Sequence, residues 1–321
     1  GGFPNKGKVV QGKRVDLFGW LLGRLKHRGF ENKLIATDMN FNDDHMKMIS
    51  EKLPKARFVN INNLCLEMRV IKTSEEIALT QRAYRYFDKI HAFGRDYILA
   101  NGTNTNDFEI GQALQAYGIN LLMKDIKYDG KPHSAVGVEV TSEYVRAGVS
   151  TAYPHPNQLF YNPIKRGQPV YVNTDIKLGG CGGEAYRNYQ ILPVSTHQEK
   201  MWTVVSETVQ IMVEETKPGV LCSDVAYKVH KHQVDNGMQV YIYHRPGHGT
   251  GLNSEGHQAP YLSLGDHTPI KEGMMFSVEP GLYDSKNGIG INPSDNLLVT
   301  KKGAVLMSRV PFTKEWSFLK I

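Results

Sequence analysis

Four short segments carry side chains that could do chemistry. The first runs from His244 through His248 to His257, three imidazoles inside 14 residues, with Gly247 and Gly249 on either side of the middle one. Imidazole is the natural group for proton transfer and metal ligation near neutral pH. Glycines beside it let a substrate or a neighbouring backbone approach closely. The second is Phe276-Ser-Val-Glu279-Pro-Gly-Leu-Tyr283, a carboxylate at the end of an apolar strand. So placed, Glu279 needs a metal, a cationic substrate or another partner, unless it only caps the Pro-Gly turn. In the third, a strand ends in Asn173-Thr-Asp175, passes a glycine-rich turn and returns with Glu184 and Arg187. A solvated Glu–Arg pair on a hairpin is the plain alternative. The fourth is Tyr153-Pro-His155-Pro156, where a proline on each side keeps the backbone of His155 extended.

These segments must be held by regular elements. Lys33–Thr37 and Arg57–Ile61 read as strands around a helix that starts at Asp43, with Asn42 as its cap and Pro54 beyond its end. This is an α/β unit, short for a free-standing domain, and it reads as a truncated one. Thr73-Ser-Glu-Glu76 is a capping box opening a helix to about Ile98, so the domain boundary is expected just before residue 72. Further helices are expected over 107–117, 197–215 and 223–236. Strands are expected at 138–140, 170–172, 240–243, 275–278 and 297–300. Helices and strands cluster separately, so residues 72–321 read as α+β with an antiparallel sheet, preceded by the partial α/β domain of residues 1–71.

Composition narrows the class. The chain has 321 residues, 40% hydrophobic and 22% charged, with a net charge of +6, which excludes disordered and collagen-like chains. No apolar run is long enough for a membrane span. The basic residues form no stripe with interleaved aromatics, so no nucleic acid is expected. Three scattered cysteines suit a reducing cytoplasm.

Taken in order, the four segments resemble the "pita-bread" family of creatinase, prolidase and aminopeptidase P, the M24-like peptidases. Gly-His248-Gly-Thr-Gly, Glu279-Pro-Gly-Leu-Tyr283 and Asp295-Asn-Leu-Leu-Val-Thr300 carry the likeness, which runs from about residue 60 to the end. The resemblance implies a curved antiparallel sheet with helices on its outer face, and a homodimer. It also implies that metallopeptidase members hold two divalent ions with Asp, Asp, His, Glu and Glu. Those places fall here on Asn173, Glu184, His248, Glu279 and Ser294.

Two of the five places have therefore lost their carboxylate, although Asp175 shares the strand face of Asn173. Paired cations need bridging carboxylates, so the sequence is read as a site without metal, or with one weakly bound ion such as Mn or Zn. The function expected on that basis is metal-independent hydrolysis of a C–N bond in a small amino-acid-like or guanidino substrate. His155, His248 and Glu279 would be catalytic, with His155 moving the proton. Asn173, Glu184, Arg187, His244 and His257 would bind substrate. Two other readings stay open: a metal-dependent Xaa-Pro peptidase acting on a dipeptide, and a non-catalytic peptide-binding module.

Overall fold

The computed structural model describes residues 16–125, 127–128, 131–132, 138–141, 145–154, 159–252 and 256–321. His155 lies outside them. The chain forms two compact units, dividing after Met68.

In the first unit, β1 (Leu34–Thr37) and β2 (Arg57–Asn60) pair in parallel, in a unit that also holds α1 (Leu17–His27), α2 (Asp43–Lys52) and α3 (Leu64–Met68). Asn42 caps α2 by accepting the His45 N–H at 2.9 Å. Leu22, Ile49 and Leu53 form the small core.

The second unit opens with α4 (Ser74–Asn101). Its capping box is complete: Thr73 Oγ1 accepts from the Glu76 amide at 3.2 Å, and Glu76 accepts from the Thr73 amide at 2.7 Å. Next come α5 (Asp107–Asp125), β3 (Lys127–Tyr128), β4 (Lys131–Pro132), β5 (Val138–Thr141), β6 (Arg146–Ala147), β7 (Pro169–Leu178) and β8 (Cys181–Ile191). The long hairpin of β7 and β8 is the spine of one sheet, which runs β16-β8-β7-β5, with β16 being Phe318–Leu319 and β6 also paired to β7. Its outward face carries Val172, Ile176, Ala185 and Tyr189, which pack with Tyr84, Phe87 and Ile90 of α4 in one core.

After α6 (Thr196–Glu215) and α7 (Cys222–Asp235), the chain builds a second sheet of order β10-β9-β11-β14-β15. Its strands are β9 (Gly247–Thr250), β10 (His257–Leu262), β11 (Met275–Val278), β14 (Asp295–Thr300) and β15 (Gly303–Leu306). Met212, Cys222, Val225 and Val229 pack with Leu262, Phe276, Val278 and Leu297. A short hairpin, β12 (Leu282–Asp284) with β13 (Ile289–Ile291), lies between β11 and β14 in sequence, and α8 (Lys314–Ser317) precedes β16. The two sheets join where Tyr186 and Ser294 exchange backbone hydrogen bonds of 3.0 and 3.1 Å.

The architecture is α+β, as expected. One element differs. Residues 240–243 do not form a strand; Gln239–Tyr241 is a turn of 3-10 helix, and only Ile242 bridges, to Leu282. The β-branched run reads as a strand, but no partner strand is available there for more than one residue.

Candidate metal-binding active site

The site forms on the inner faces of the two sheets, beside their junction. Asp175 stands opposite Glu184, and Asn173 opposite Tyr186, on neighbouring strands of the β7–β8 hairpin. Side chains directly opposite share a face and alternate along a strand, so all four face the same side. On the second sheet, His248 stands opposite Ser277. Glu279 follows two residues after Ser277, on the same face.

The result is a compact group. The ligand atoms of Glu184, His248, His257 and Glu279 lie within 4.8 Å of one another. His248 Nε2 is 3.3 Å from Glu184 Oε1 and 3.2 Å from Glu279 Oε1. Its Nδ1 donates to the Gly249 carbonyl at 3.1 Å, which fixes the ring and leaves Nε2 facing the carboxylates. The His257 ring lies 3.8 Å from that of His248, centroid to centroid. Ser277 Oγ donates to Glu184 at 2.9 Å or to Glu279 at 3.2 Å, and it also meets Ser294 Oγ at 3.0 Å. Tyr186 donates to the second oxygen of Glu184.

Burial, then the charge of Glu279, push Glu184 well above the usual carboxylate range. Burial opposes a charge on His248, but its hydrogen bonds to the two carboxylates, and their charge, outweigh it and hold its pKa up at about 10. A half-buried and a buried carboxylate beside imidazoles thus form a site that gathers positive charge.

The glycines beside His248 have a backbone cause. A Cβ on Gly247 would stand 2.5 Å from the Ser277 carbonyl oxygen, and one on Gly249 2.8 Å from that of Gln258. They let β9 sit tightly between β11 and β10. Lys72 adds a tie from the start of α4: its buried ammonium donates to the Thr250 carbonyl at 2.7 Å, two residues past His248.

The other expected site residues divide. Asn173 is buried on the site face, and its Oδ1 takes no hydrogen bond from the described residues. His244 is held through Nε2 by the Tyr283 hydroxyl at 2.9 Å. Arg187 is displaced from the group. It stands opposite Val172, three residues from Glu184, so it projects to the other face of the sheet. There it pairs with Asp295 at 2.8 Å, donates to the Val310 carbonyl and stacks on Phe312. The structure thus makes Arg187 a scaffold group instead of a substrate contact. Ser277 is the site residue that sequence reasoning missed. Its signal was the two-residue step to Glu279 on an apolar strand.

The sequence profile of Metallopeptidase family M24 matches residues 77–301, and the chain belongs to that family of peptidases. It is 26% identical over 301 residues to the Xaa-Pro dipeptidase of Pyrococcus horikoshii, covering 94% of this chain and 78% of that protein. It is 28% identical over 258 residues to YkvY of Bacillus subtilis strain 168, covering 80% of this chain. The chain spans 65% of YkvY, just under two thirds of that relative's length. Among solved structures, it resembles the Xaa-Pro dipeptidase from Bacillus anthracis with a TM-score of 0.77 at 20% identity, covering 96% of this chain and 80% of that one. This likeness supports the pita-bread fold.

The expectation of a site without metal, with at most one weakly held ion, is overturned. Membership of a metallopeptidase family and the convergence of Glu184, His248, His257 and Glu279 both point to metal. The donor chemistry fits divalent transition ions: two carboxylates supply charge, and two imidazoles supply nitrogen ligands. The Nδ1 anchor of His248 is the outer contact that ligating histidines use. Carboxylates are missing at 173 and 294, but His257, expected from the sequence to bind substrate, is brought to the group by the β9–β10 pairing, opposite Thr250.

Proposed function

We propose that this protein is a metal-dependent dipeptidase that hydrolyses Xaa-Pro dipeptides. The observation that carries the reading is the convergence of Glu184, His248, His257 and Glu279. The dipeptidase relative supports the substrate class. Bound there, a divalent ion would supply Lewis-acid polarisation of the peptide carbonyl.

The chain's own residues do the rest. Ser277 holds the two carboxylates at a fixed spacing, and Tyr186 orients Glu184. Glu279, 3% exposed, is positioned to accept a proton at a carboxylate oxygen without competition from bulk water. His244 donates through Nδ1 to the Arg245 carbonyl at 2.8 Å and meets the Tyr283 hydroxyl through Nε2 at 2.9 Å, and it is assigned to the wall of the substrate site. His155 is assigned proton delivery to the leaving nitrogen, on the strength of its place between two prolines and the family resemblance. The metal-independent amidinohydrolase reading is set aside with the metal-free site. A homodimer and a reducing cytoplasm complete the proposal; all three cysteines are free thiols. Among the described residues, no helix is long and apolar enough to cross a membrane.

The test is hydrolysis of Ala-Pro by protein loaded with Mn, Co, Zn or Fe. Turnover that chelation abolishes and metal restores is the expected result. No turnover with any of the four ions, or turnover indifferent to chelation, overturns the reading.

A further inference from the structure

Helix α1 carries two apolar stripes. One faces its own unit: Leu22 is buried and packs, with Phe18 and Leu25, in the core that also holds Ile49 and Leu53. These three fall at the i, i+4, i+7 spacing of a single helix face. The other stripe is made by Leu17, Trp20 and Leu21, at the i, i+3, i+4 spacing, and it faces solvent. Leu17 is 70% exposed, Trp20 60% and Leu21 40%. Single exposed apolar side chains are ordinary, but a contiguous group on one helix face that includes a tryptophan marks a contact surface.

Basic residues continue that stripe. Arg24 lies one turn beyond Trp20 and Leu21, and Arg28 one turn beyond Arg24, at the helix end; both are exposed. From Leu17 to Arg28 there is no acidic residue. The charge of the whole chain is concentrated here. Residues 1–28 hold seven of the 38 basic residues and one of the 32 acidic ones, Asp16. The rest of the chain balances at 31 of each, so the net charge of +6 lies entirely in this stretch. Basic residues in the last turn complement the helix dipole. The dipole calls neither for Leu17 and Trp20 in water nor for the basic residues ahead of the helix.

We propose that the outer face of α1 docks the protein on an anionic lipid membrane, with the helix lying flat and Leu17, Trp20 and Leu21 entering the headgroup boundary. A basic amphipathic helix matches such a surface twice. Its apolar side chains bury against the acyl boundary, where indole is favoured, and its arginines meet lipid phosphates and carboxylates. Nucleic acid offers phosphates but no apolar layer. A second copy of this chain would set one basic stretch against another. An 11-residue helix spans about 16 Å, so the contact is shallow and reversible. The proposal is independent of the dipeptidase reading: it concerns where the protein sits, not what it cleaves.

The experiment is sedimentation of the full chain with vesicles of phosphatidylcholine alone, or of phosphatidylcholine and phosphatidylserine in equal parts. Binding to the mixed vesicles should be at least about tenfold tighter and should weaken as salt is added. It should bring a blue shift of tryptophan emission that Trp20→Ser abolishes. Leu17→Ser with Trp20→Ser should weaken binding about tenfold or more, and Arg24→Ser with Arg28→Ser about fivefold per arginine. All four side chains are exposed, so the variants should keep their fold, which circular dichroism checks. No binding to the mixed vesicles overturns the proposal. Binding that a folded Leu17→Ser, Trp20→Ser protein retains in full also overturns it, because a bare charge patch, open to duplex DNA as well, would then explain the contact. So does self-association that depends on Leu17 and Trp20 without vesicle binding, which makes a second copy the occupant. If the Leu17→Ser, Trp20→Ser protein does not fold, wild type and the arginine variant decide. Binding without an emission shift, or undiminished binding by the arginine variant, overturns the proposal.

Discussion

His248 Nε2 lies 3.2 Å from Glu279 Oε1, across 31 positions of sequence. The contact exists because β9 and β11 are neighbours in one antiparallel sheet with His248 opposite Ser277, two residues before Glu279. It joins the chain's histidine and carboxylate segments into one site, and the following predictions depend on it.

Removing one carboxylate should cost metal first. Glu279→Gln keeps size and removes charge. It is expected to lower divalent-ion affinity by about 10²-fold or more, with turnover falling in parallel. Metal analysis after dialysis checks this; a variant retaining its full metal content would contradict the assigned ligand set.

The glycine before His248 should not accept a side chain. The Cβ of Gly247→Ala would stand 2.5 Å from the Ser277 carbonyl oxygen, so β9 must move away from β11. The expected loss of stability is about 1–3 kcal/mol, with weaker metal binding as His248 shifts. Chemical denaturation and metal titration read the two effects separately.

Arg187 should matter to stability, although it lies on the face away from the site. Arg187→Met leaves Asp295 buried without its 2.8 Å partner. A loss of about 3–5 kcal/mol is expected, because an uncompensated charge remains in the interior. Urea unfolding measures it. A variant with wild-type stability would show that the pair contributes nothing.

Acid should destabilise the fold partly through His91. Burial, and then the charge of Arg187, lower its pKa to about 3, and its Nε2 donates to the Ala185 carbonyl at 3.0 Å. A folded pKa below the unfolded value of about 6.5 means that the unfolded chain takes up the proton first. The stability is therefore complete above about pH 6.5 and falls towards pH 3, by about 1.4 kcal/mol per pH unit from this group. Unfolding of His91→Gln should show a shallower pH dependence over that window.

Local features were legible from the chain because their causes are local. The Thr73–Glu76 capping box and the Asn42 cap need only three-residue spacing, and strand alternation needs only two. The strings Gly-His248-Gly and Glu279-Pro-Gly also marked where chemistry would lie and which family the chain resembles. Distance along the sequence hid the rest. Whether Glu184, His248, His257 and Glu279 meet is set by which strands are neighbours, and strand order leaves no mark in residue spacing. Counting carboxylates at matched positions therefore gave a metal-free site, whereas packing brought His257 in and made a ligand group. The Glu184–Arg187 pair shows the same division. Three residues apart, they would be neighbours on a helix, but a strand sends them to opposite faces, and only the folded sheet decided which face held the chemistry.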